Sequence, residues 1–137
     1  MRINIGVRLD GERCTLVPYA TEMVEQYHTW MLNDENREMT CSEPLSLAEE
    51  YKMCADWQVD EDKLTFIILD RAFADTPGLR DICRGGGRMA GDVNLFFNDH
   101  YDKQVAEIDV MVEENNQFNI FKLDPNHFLK IEFSLKF

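Results

Sequence analysis

Two segments of the chain alternate apolar and polar residues with a period of two, the spacing of a strand that buries one face. Residues 129–137 alternate most sharply, and residues 106–112 alternate cleanly. In 106–112 the apolar residues share one face, whereas Glu107, Asp109 and Met111 share the other. The chain is therefore predicted to contain a sheet, with a half-buried strand at 106–112 and a terminal strand at 129–137.

Two segments nearer the N-terminus have the periodicity of helices. The apolar stripe of the first is formed by Met23, Val24, Tyr27, Trp30 and Met31. Its predicted N-cap is Thr21. The second helix is predicted to start at Ser46, because residues 46–49 match a capping box. The predicted stripe of this second helix is Leu47, Tyr51, Cys54 and Ala55.

Short apolar runs between turn residues predict three more strands, at 14–18, 64–69 and 91–97. A short polar turn separates 91–97 from 106–112, so these two strands are expected to form an antiparallel hairpin. Two helices followed by consecutive strands indicate the α+β class. The length of 137 residues fits a single domain, predicted over 1–137.

The composition excludes several classes of partner. The chain has 14 basic and 26 acidic residues, a net charge of −12. Binding to nucleic acid or to an anionic membrane requires a basic surface, so neither is predicted. A cationic substrate such as an amine or a lysine-rich peptide is compatible with this charge. The four cysteines lack metal-ligand spacing and no signal sequence is visible, so we expect no metal site and a cytoplasmic location.

The segment 70–90 is predicted to be a loop, and it contains the run Gly85–Gly87 between Arg84 and Arg88. A phosphate-binding loop needs its glycines at the start of a helix, whose N–H groups bind the anion. Because this run precedes a strand, we interpret it as a flexible, solvated connector.

Glu107 and Asp109 lie two residues apart on one face of a predicted strand. Carboxylates in this arrangement can act as the general base that removes a proton from an amine or from water. The alternative is the solvated face of a half-exposed strand, which the spacing alone favours. Asp92 and Asn94 on the neighbouring strand would join this face in one register of the hairpin, and the sequence does not fix the register.

Four stretches occur in an order and spacing that are typical of a known family. They are Leu16–Tyr19 with Tyr27-His28-x-Trp30-Met31, Ser42–Leu47 with Glu49-Glu50-Tyr51-x-Met53 and Trp57-Gln58, Thr65–Asp70, and Gly91–Phe96 with Ala106–Val112. Over residues 13–112 the chain resembles the first half of the GCN5-related N-acetyltransferase (GNAT) family. Within that family it most closely resembles the N-acetyltransferase 9 group.

This resemblance implies the GNAT fold, in which two helices follow the first strand and three antiparallel strands come next. It implies acetyl-CoA as cosubstrate, whose pantetheine arm would pair with the backbone of Val110, Met111 and Val112. Glu107 or Asp109 would be the general base, and acetyl would pass directly to a protein amine. The alternative name of the group, alpha-tubulin N-acetyltransferase, implies tubulin as the acceptor.

The sequence departs from the GNAT pattern after Val112. The family has an Arg/Gln-x-x-Gly-x-Gly/Ala loop at this point, whose N–H groups bind the diphosphate of coenzyme A. Here Glu113–Gln117 follow instead, and no glycine occurs after Gly91. We therefore interpret 113–137 as a divergent or internally shortened tail, of a truncated isoform or an imperfect gene model, and expect acetyl-CoA to bind poorly. The alternative function is a catalytically inactive GNAT remnant that acts as a protein-interaction module.

Overall fold

The computed structural model describes residues 3–98, 101 and 105–113. They form one antiparallel sheet of five strands: β1 (Leu9–Asp10), β2 (Cys14–Pro18), β3 (Lys63–Asp70), β4 (Arg88–Phe96) and β5 (Glu107–Val112). Each strand pairs with the next one in the chain, so the spatial order is β1-β2-β3-β4-β5. The strands predicted at 14–18, 64–69, 91–97 and 106–112 are confirmed apart from their ends, and so is the antiparallel hairpin.

The helices of the described residues are α1 (Val24–Met31), α2 (Asp34–Met39), α3 (Leu47–Val59) and α4 (Arg80–Cys83). The prediction of Thr21 as an N-cap is wrong, because Thr21 begins a 3-10 turn whose N-cap is Ala20. The capping box of α3 is confirmed: Ser46 Oγ accepts the Glu49 N–H at 3.3 Å, and Glu49 Oε2 accepts the Ser46 N–H at 2.7 Å.

The buried face of α3 differs from the predicted stripe. The residues that are buried or packed against the core are Glu50, Met53, Cys54 and Trp57. Leu47, Tyr51 and Ala55 are exposed. The prediction failed because the pattern was read from apolar residues alone, and it therefore missed Glu50, which is only 1% exposed.

The sheet has two buried faces, which we call the helix face and the apolar face. The helix face packs against α1 and α3 and contributes Val17, Ile67, Leu69, Met89 and Met111 to a core with the helix residues. The apolar face is formed by Leu16, Leu64, Phe66, Ile68, Val93, Leu95 and Val112. The predicted alternation of β5 is confirmed, since Val112 packs on the apolar face and Met111 on the helix face.

The connector between β3 and β4 is packed at its C-terminal end. Gly86 and Gly87 are buried, and the Asp75 carboxylate accepts the N–H groups of Gly85 and Gly87 at 2.8 and 2.9 Å. Gly87 has φ +105°, and a Cβ there would overlap the carbonyl oxygen of Asp70. The interpretation as a solvated connector is therefore wrong, although the glycines do follow a helix rather than begin one, as expected.

Two sequence predictions fall on residues outside the described set. These are the strand at 129–137 and, apart from Glu113, the tail at 113–137. The single-domain assignment over 1–137 stays a prediction. Within the described ranges, no helix is long and apolar enough to cross a lipid bilayer.

Candidate functional site

The helix face carries side chains of β3, β4 and β5 in three rows across the sheet. The rows are Lys63–Phe96–Glu107, Thr65–Asn94–Asp109 and Ile67–Asp92–Met111. This register settles what the sequence left open, because Asp92 and Asn94 share the face of Glu107 and Asp109. Three carboxylates therefore lie on one side of the β4–β5 hairpin.

Asp92 is the buried carboxylate of this group and is 2% exposed. Tyr27 Oη and Asn94 Nδ2 both donate to its Oδ2, each at 3.1 Å. Thr65 Oγ1 in turn donates to Asn94 Oδ1 at 2.8 Å. Burial raises the pKa of Asp92 from 3.8 to about 6, against the opposing effect of the Asn94 and Tyr27 hydrogen bonds. A carboxyl group with this pKa can both hold and release a proton near neutral pH.

Glu107 and Asp109, the two residues predicted as general base, are exposed on β5. Asp109 lies opposite Asn94, and Glu107 lies opposite Phe96. The negative charge of Asp109 contributes to the raised pKa of Asp92. The hairpin thus combines one buried carboxylate that is hydrogen-bonded with two that face solvent.

Lys63 points into the helix face at the first position of β3 and is 7% exposed. Its Nζ lies 3.2 Å from the centroid of a Trp57 ring and 4.6 Å from that of Phe96. Burial lowers the pKa of this amine from 10.5 to about 8, although Asp92, Asp60 and Asp109 attract the charged form. The sequence reasoning missed Lys63, because a lysine next to the acidic turn 60–62 is normally solvated.

Aromatic rings and one further acid fill the space between the helix face and the helices. Tyr19 and Tyr27 have ring centroids 5.1 Å apart, and those of Tyr19 and Trp57 are 6.0 Å apart. Burial raises the pKa of Glu50 despite His28, whose Nδ1 lies 3.7 Å from Glu50 Oε1. Burial also raises the pKa of the Tyr19 hydroxyl. The space between the helix face and the helices therefore favours the neutral forms of Glu50 and Tyr19.

Among the described strands, β5 pairs with β4 alone. We call its other side, with which no described strand pairs, the edge of β5. The Glu113 N–H donates to the Ala90 carbonyl at 2.8 Å. Because main-chain groups alternate in an antiparallel pair, those of Met111 face β4 and those of Val110 face the edge. The Met111 carbonyl oxygen accordingly lies against Gly91, where a Cβ would stand.

A cleft of about 440 Å³ lies beside the C-terminal end of β5. Its walls include Trp30, Asn33 and Asn36 from the α1–α2 region, Arg88 from β4, and Glu113. The cleft is lined by amide, guanidinium and carboxylate groups together with an aromatic ring. It therefore has the mixed polarity of a site for a small polar group.

The described residues contain no cluster of three or more metal-ligating side chains. All four cysteines are free thiols, with Cys54 and Cys83 buried and Cys41 exposed. Burial raises the pKa of Cys54 to about 11, so its thiol is protonated near neutral pH. Cys54, which is buried in the core of the helix face, is therefore not a nucleophilic thiolate near neutral pH.

No protein-family model matches the chain. An N-acetyltransferase 9-like protein of Nematostella vectensis is 47% identical over 114 residues, which are 83% of this chain and 56% of that protein. The N-acetyltransferase 9-like protein of Schizosaccharomyces pombe is 41% identical over 131 residues, 93% of this chain and 61% of that protein. Human alpha/beta-tubulin-N-acetyltransferase 9 is 44% identical over 117 residues, 83% of this chain and 54% of that protein. The chain therefore spans little more than half the length of the curated relatives it matches.

Solved structures resemble the fold at lower sequence identity. Spermidine N-acetyltransferase from Vibrio cholerae, in complex with CoA and spermine, has a TM-score of 0.59 at 17% identity and covers 78% of this chain. The microcin C7 self-immunity acetyltransferase, in complex with acetyl-CoA and AMP, has a TM-score of 0.53 at 17% identity. This chain covers 55% and 54% of these two structures. At these identities the likeness establishes the fold alone.

Proposed function

The chain belongs, over the region it shares with them, to the N-acetyltransferase 9 family and has the GNAT fold, and on this premise we propose that it transfers acetyl from acetyl-CoA to an amine of a protein. Relatives at 41 to 47% identity are named N-acetyltransferase 9-like protein or alpha/beta-tubulin-N-acetyltransferase 9. The two acetyltransferase structures described above contain coenzyme A or acetyl-CoA. The structural observation that carries the proposal is the set of three carboxylates on the helix face, next to the edge of β5.

Acetyl-CoA fits the edge of β5 as an added strand would. The main-chain N–H and C=O of Val110 face this edge, so they are the groups that would pair with the amides of the pantetheine arm. The main-chain groups of Val112 face the same edge as those of Val110, and the side chain of Met111 packs in the core of the helix face. The bound thioester would supply an acyl carbon that an amine can attack.

A protonated amine must lose a proton before it attacks, and the three carboxylates are suited to this task. We assign the base to Glu107 or Asp109, because both are exposed on the strand that would hold the cosubstrate. Asp92 is buried behind them, and we assign it the role of positioning Asn94 and keeping the site polar. We propose that attack is direct, with no acyl-enzyme intermediate, as membership of the family implies.

The proposed acceptor is tubulin, because human, mouse and fruit-fly relatives are named alpha/beta-tubulin-N-acetyltransferase 9. A tubulin acceptor would place the protein in the cytoplasm. The net charge of −12 is compatible with a protonated amine but gives no support for tubulin in particular.

The test is acetyl transfer from acetyl-CoA to tubulin, measured by mass spectrometry on the complete chain. Each of Glu107→Gln and Asp109→Asn is compared with Asp56→Asn, whose carboxylate is exposed and paired to Lys52 on α3. Loss of the base should lower kcat by about 100-fold or more, while Asp56→Asn should leave it unchanged. Unchanged kcat in both base variants would contradict the assignment.

A second candidate function is a catalytically inactive protein that binds a partner, and the lack of any glycine after Gly91 favours it. Thermal denaturation with acetyl-CoA separates the two. At 100 times its dissociation constant, a bound ligand stabilises the fold by about 2.7 kcal/mol. A cooperative transition that acetyl-CoA does not move, together with tubulin binding, would support the inactive protein and contradict the enzyme.

A further inference from the structure

Among the described residues, no helix contributes a buried side chain to the apolar face, and yet this face is buried. The residues that form it or pack against it all lie on strands β2 to β5 or directly beside them. The buried apolar residues of α1, α3 and α4 belong instead to the core of the helix face. The central side chains of the apolar face are nevertheless only 2 to 7% exposed, namely Leu64, Phe66, Ile68, Val93 and Leu95.

The distribution of exposure indicates that a segment lies over the middle of this face. Leu9 on β1 and Ile108 on β5 point to the same side, because they lie opposite Leu16 and Leu95. These two outer side chains are 39 and 40% exposed. Neighbouring strands shield the flanks of a side chain but not its tip, so an exposure of a few per cent requires contacts from above the sheet. These are exposures within a single chain, so the covering segment belongs to the same chain.

Only one of the segments outside the described set is long enough to cover the face. These segments are 1–2, 99–100, 102–104 and 114–137. The last of them follows Glu113, whose N–H still donates to the Ala90 carbonyl, so it begins at the end of β5 beside the apolar face. From β5 to β2 the sheet measures three strand spacings, about 15 Å. About five extended residues span this distance, and 114–137 is much longer.

The composition of 114–137 suits contact with an apolar surface. The chain as a whole is strongly acidic, but in this segment the charges balance: Glu114, Asp124 and Glu132 against Lys122, Lys130 and Lys136. The alternation over 129–137 predicts a strand with one apolar side, formed by Leu129, Ile131, Phe133, Leu135 and Phe137. Its other side would carry the polar residues between them and could face solvent.

From these observations we propose that residues 114–137 cover the apolar face of the sheet, with the apolar side of 129–137 turned toward it. Removal of both apolar surfaces from water would drive this contact. The segment that departs from the GNAT pattern would then form the second layer that the apolar face requires. This inference is independent of the proposed function, because it involves neither acetyl-CoA nor the carboxylates on the opposite face.

Alkylation of the native thiols in the complete chain, followed by mass spectrometry, tests this inference. Cys14 packs against the apolar face, Cys41 is exposed, and Cys54 is buried in the core of the helix face. Phe133→Asp would place a charge against the apolar face, and Ser134→Asp would place it on the other side of the predicted strand.

We expect Phe133→Asp to raise the alkylation rate of Cys14 by about tenfold or more, because local opening exposes the thiol. Ser134→Asp should leave this rate unchanged, and Cys41 should react equally in all three chains. Continued protection of Cys54 would show that the helix face is still folded. Equal rates at Cys14 in the three chains, with Cys54 protected, would overturn the proposal.

A second measurement decides the matter if Phe133→Asp unfolds the chain, so that Cys54 reacts as well. A Cys41→Ser chain carries a benzophenone maleimide on Cys14 and is irradiated in a mixture of light and isotopically heavy chains. Cross-links from Cys14 to 114–137 of the same chain would support the proposal. Cross-links only between light and heavy chains would mean that a second copy covers the face, and this result or the absence of any cross-link to 114–137 would overturn it. The control is the same label on Cys41 of a Cys14→Ser chain, from which we expect no cross-link to 114–137.

Discussion

The apolar face and the helix face of the sheet are made by the same strands but bury different groups. On β3 and β4 the apolar face buries Ile68 and Val93 to 2% and 4% exposure, and the helix face buries Thr65 and Asp92 to 0% and 2%. Along β3 and β4, burial is thus equally complete on both faces. The apolar face gains transfer free energy, whereas the helix face must recover the cost of desolvation through hydrogen bonds.

Within a single sheet, the apolar face thus contributes mainly to stability, and the helix face carries the polar groups that are available for chemistry. Side chains on the apolar face can be exchanged for others of similar volume at modest cost. On the helix face, hydrogen bonds link the side chains Tyr27–Asp92–Asn94–Thr65 in a chain. Each of these side chains therefore needs a particular partner and a particular orientation. Buried polar groups that stabilise little are expected where a function requires them. The two faces should therefore respond differently to substitution and to pH.

The largest effect should come from a change that disturbs both faces at once. Gly91→Ala places a methyl group where the Met111 carbonyl oxygen lies, so β5 must separate from β4. We expect a loss of about 5 kcal/mol or more in the free energy of unfolding, measured by chemical denaturation. Gly11→Ala is the control, since its added Cβ would lie 3.0 Å from the Cys14 carbonyl oxygen and a small shift of the exposed hairpin relieves the contact. Equal effects of the two changes would mean that Gly91 does not fix the pairing.

Ile68→Ala should damage the apolar face alone. Ile68 is 2% exposed on β3, and truncation of a buried isoleucine removes transfer free energy and leaves a cavity. We expect a loss of about 4 kcal/mol that is the same at every pH at which the chain is folded. A loss that varied with pH would show that the two faces are coupled through β3.

Asp92→Asn should change the pH dependence of the helix face. Because the folded-state pKa is raised from 3.8 to about 6, the folded state binds the proton more tightly and wild-type stability falls as pH rises through this interval. The asparagine variant lacks this decrease. Between about pH 4 and about pH 7 its stability should rise by about 2 kcal/mol relative to wild type.

Asp56→Asn is the control for this measurement, because the Asp56 carboxylate is exposed on α3. Its stability relative to wild type should stay nearly constant over the same interval. If the Asp92→Asn curve ran parallel to the wild-type curve, Asp92 would have to titrate normally in the fold. The measurement is chemical denaturation at a series of pH values.

Thr65→Val should produce the smallest of the four effects. The replacement keeps the shape of the side chain but removes the Oγ1 that donates to Asn94 Oδ1 at 2.8 Å. We expect a loss of about 1 to 2 kcal/mol, the cost of leaving a buried acceptor without its partner. A double-mutant cycle with Asn94→Ala should show coupling between the two sites, and strict additivity would contradict the hydrogen bond.

The sequence predicted the strands well because period-two alternation follows directly from strand geometry. The strand at 14–18 and the face of Met111 are examples. It failed where burial is polar: the predicted stripe of α3 left out Glu50, and Lys63 received no role. Asp92 was recognised only as conditional on a register, and register is set by pairing between distant residues rather than by local pattern.

The shorter helices show the same limit. The sequence analysis did not predict α2, although Asn33 caps it by accepting the N–H of Glu35 at 2.8 Å. The close approach of Gly87 to the Asp70 carbonyl oxygen could not be predicted from the sequence, because it depends on the tertiary fold. Glu107 and Asp109 could be proposed as base from the sequence because they lie two residues apart on one strand. The hydrogen bond from Tyr27 to Asp92 could not be predicted, because these residues are 65 positions apart.

The order of strands in space, which equals their order in the chain, has a consequence for how the protein forms. During synthesis each described strand after β1 meets a neighbour that is already present, so only β1 has to wait for a later strand to become its partner. The largest loop to be closed is the one between β2 and β3, which contains α1, α2 and α3. Once it is closed, β4 and β5 can add in turn by comparatively local contacts, the kind that favour rapid folding.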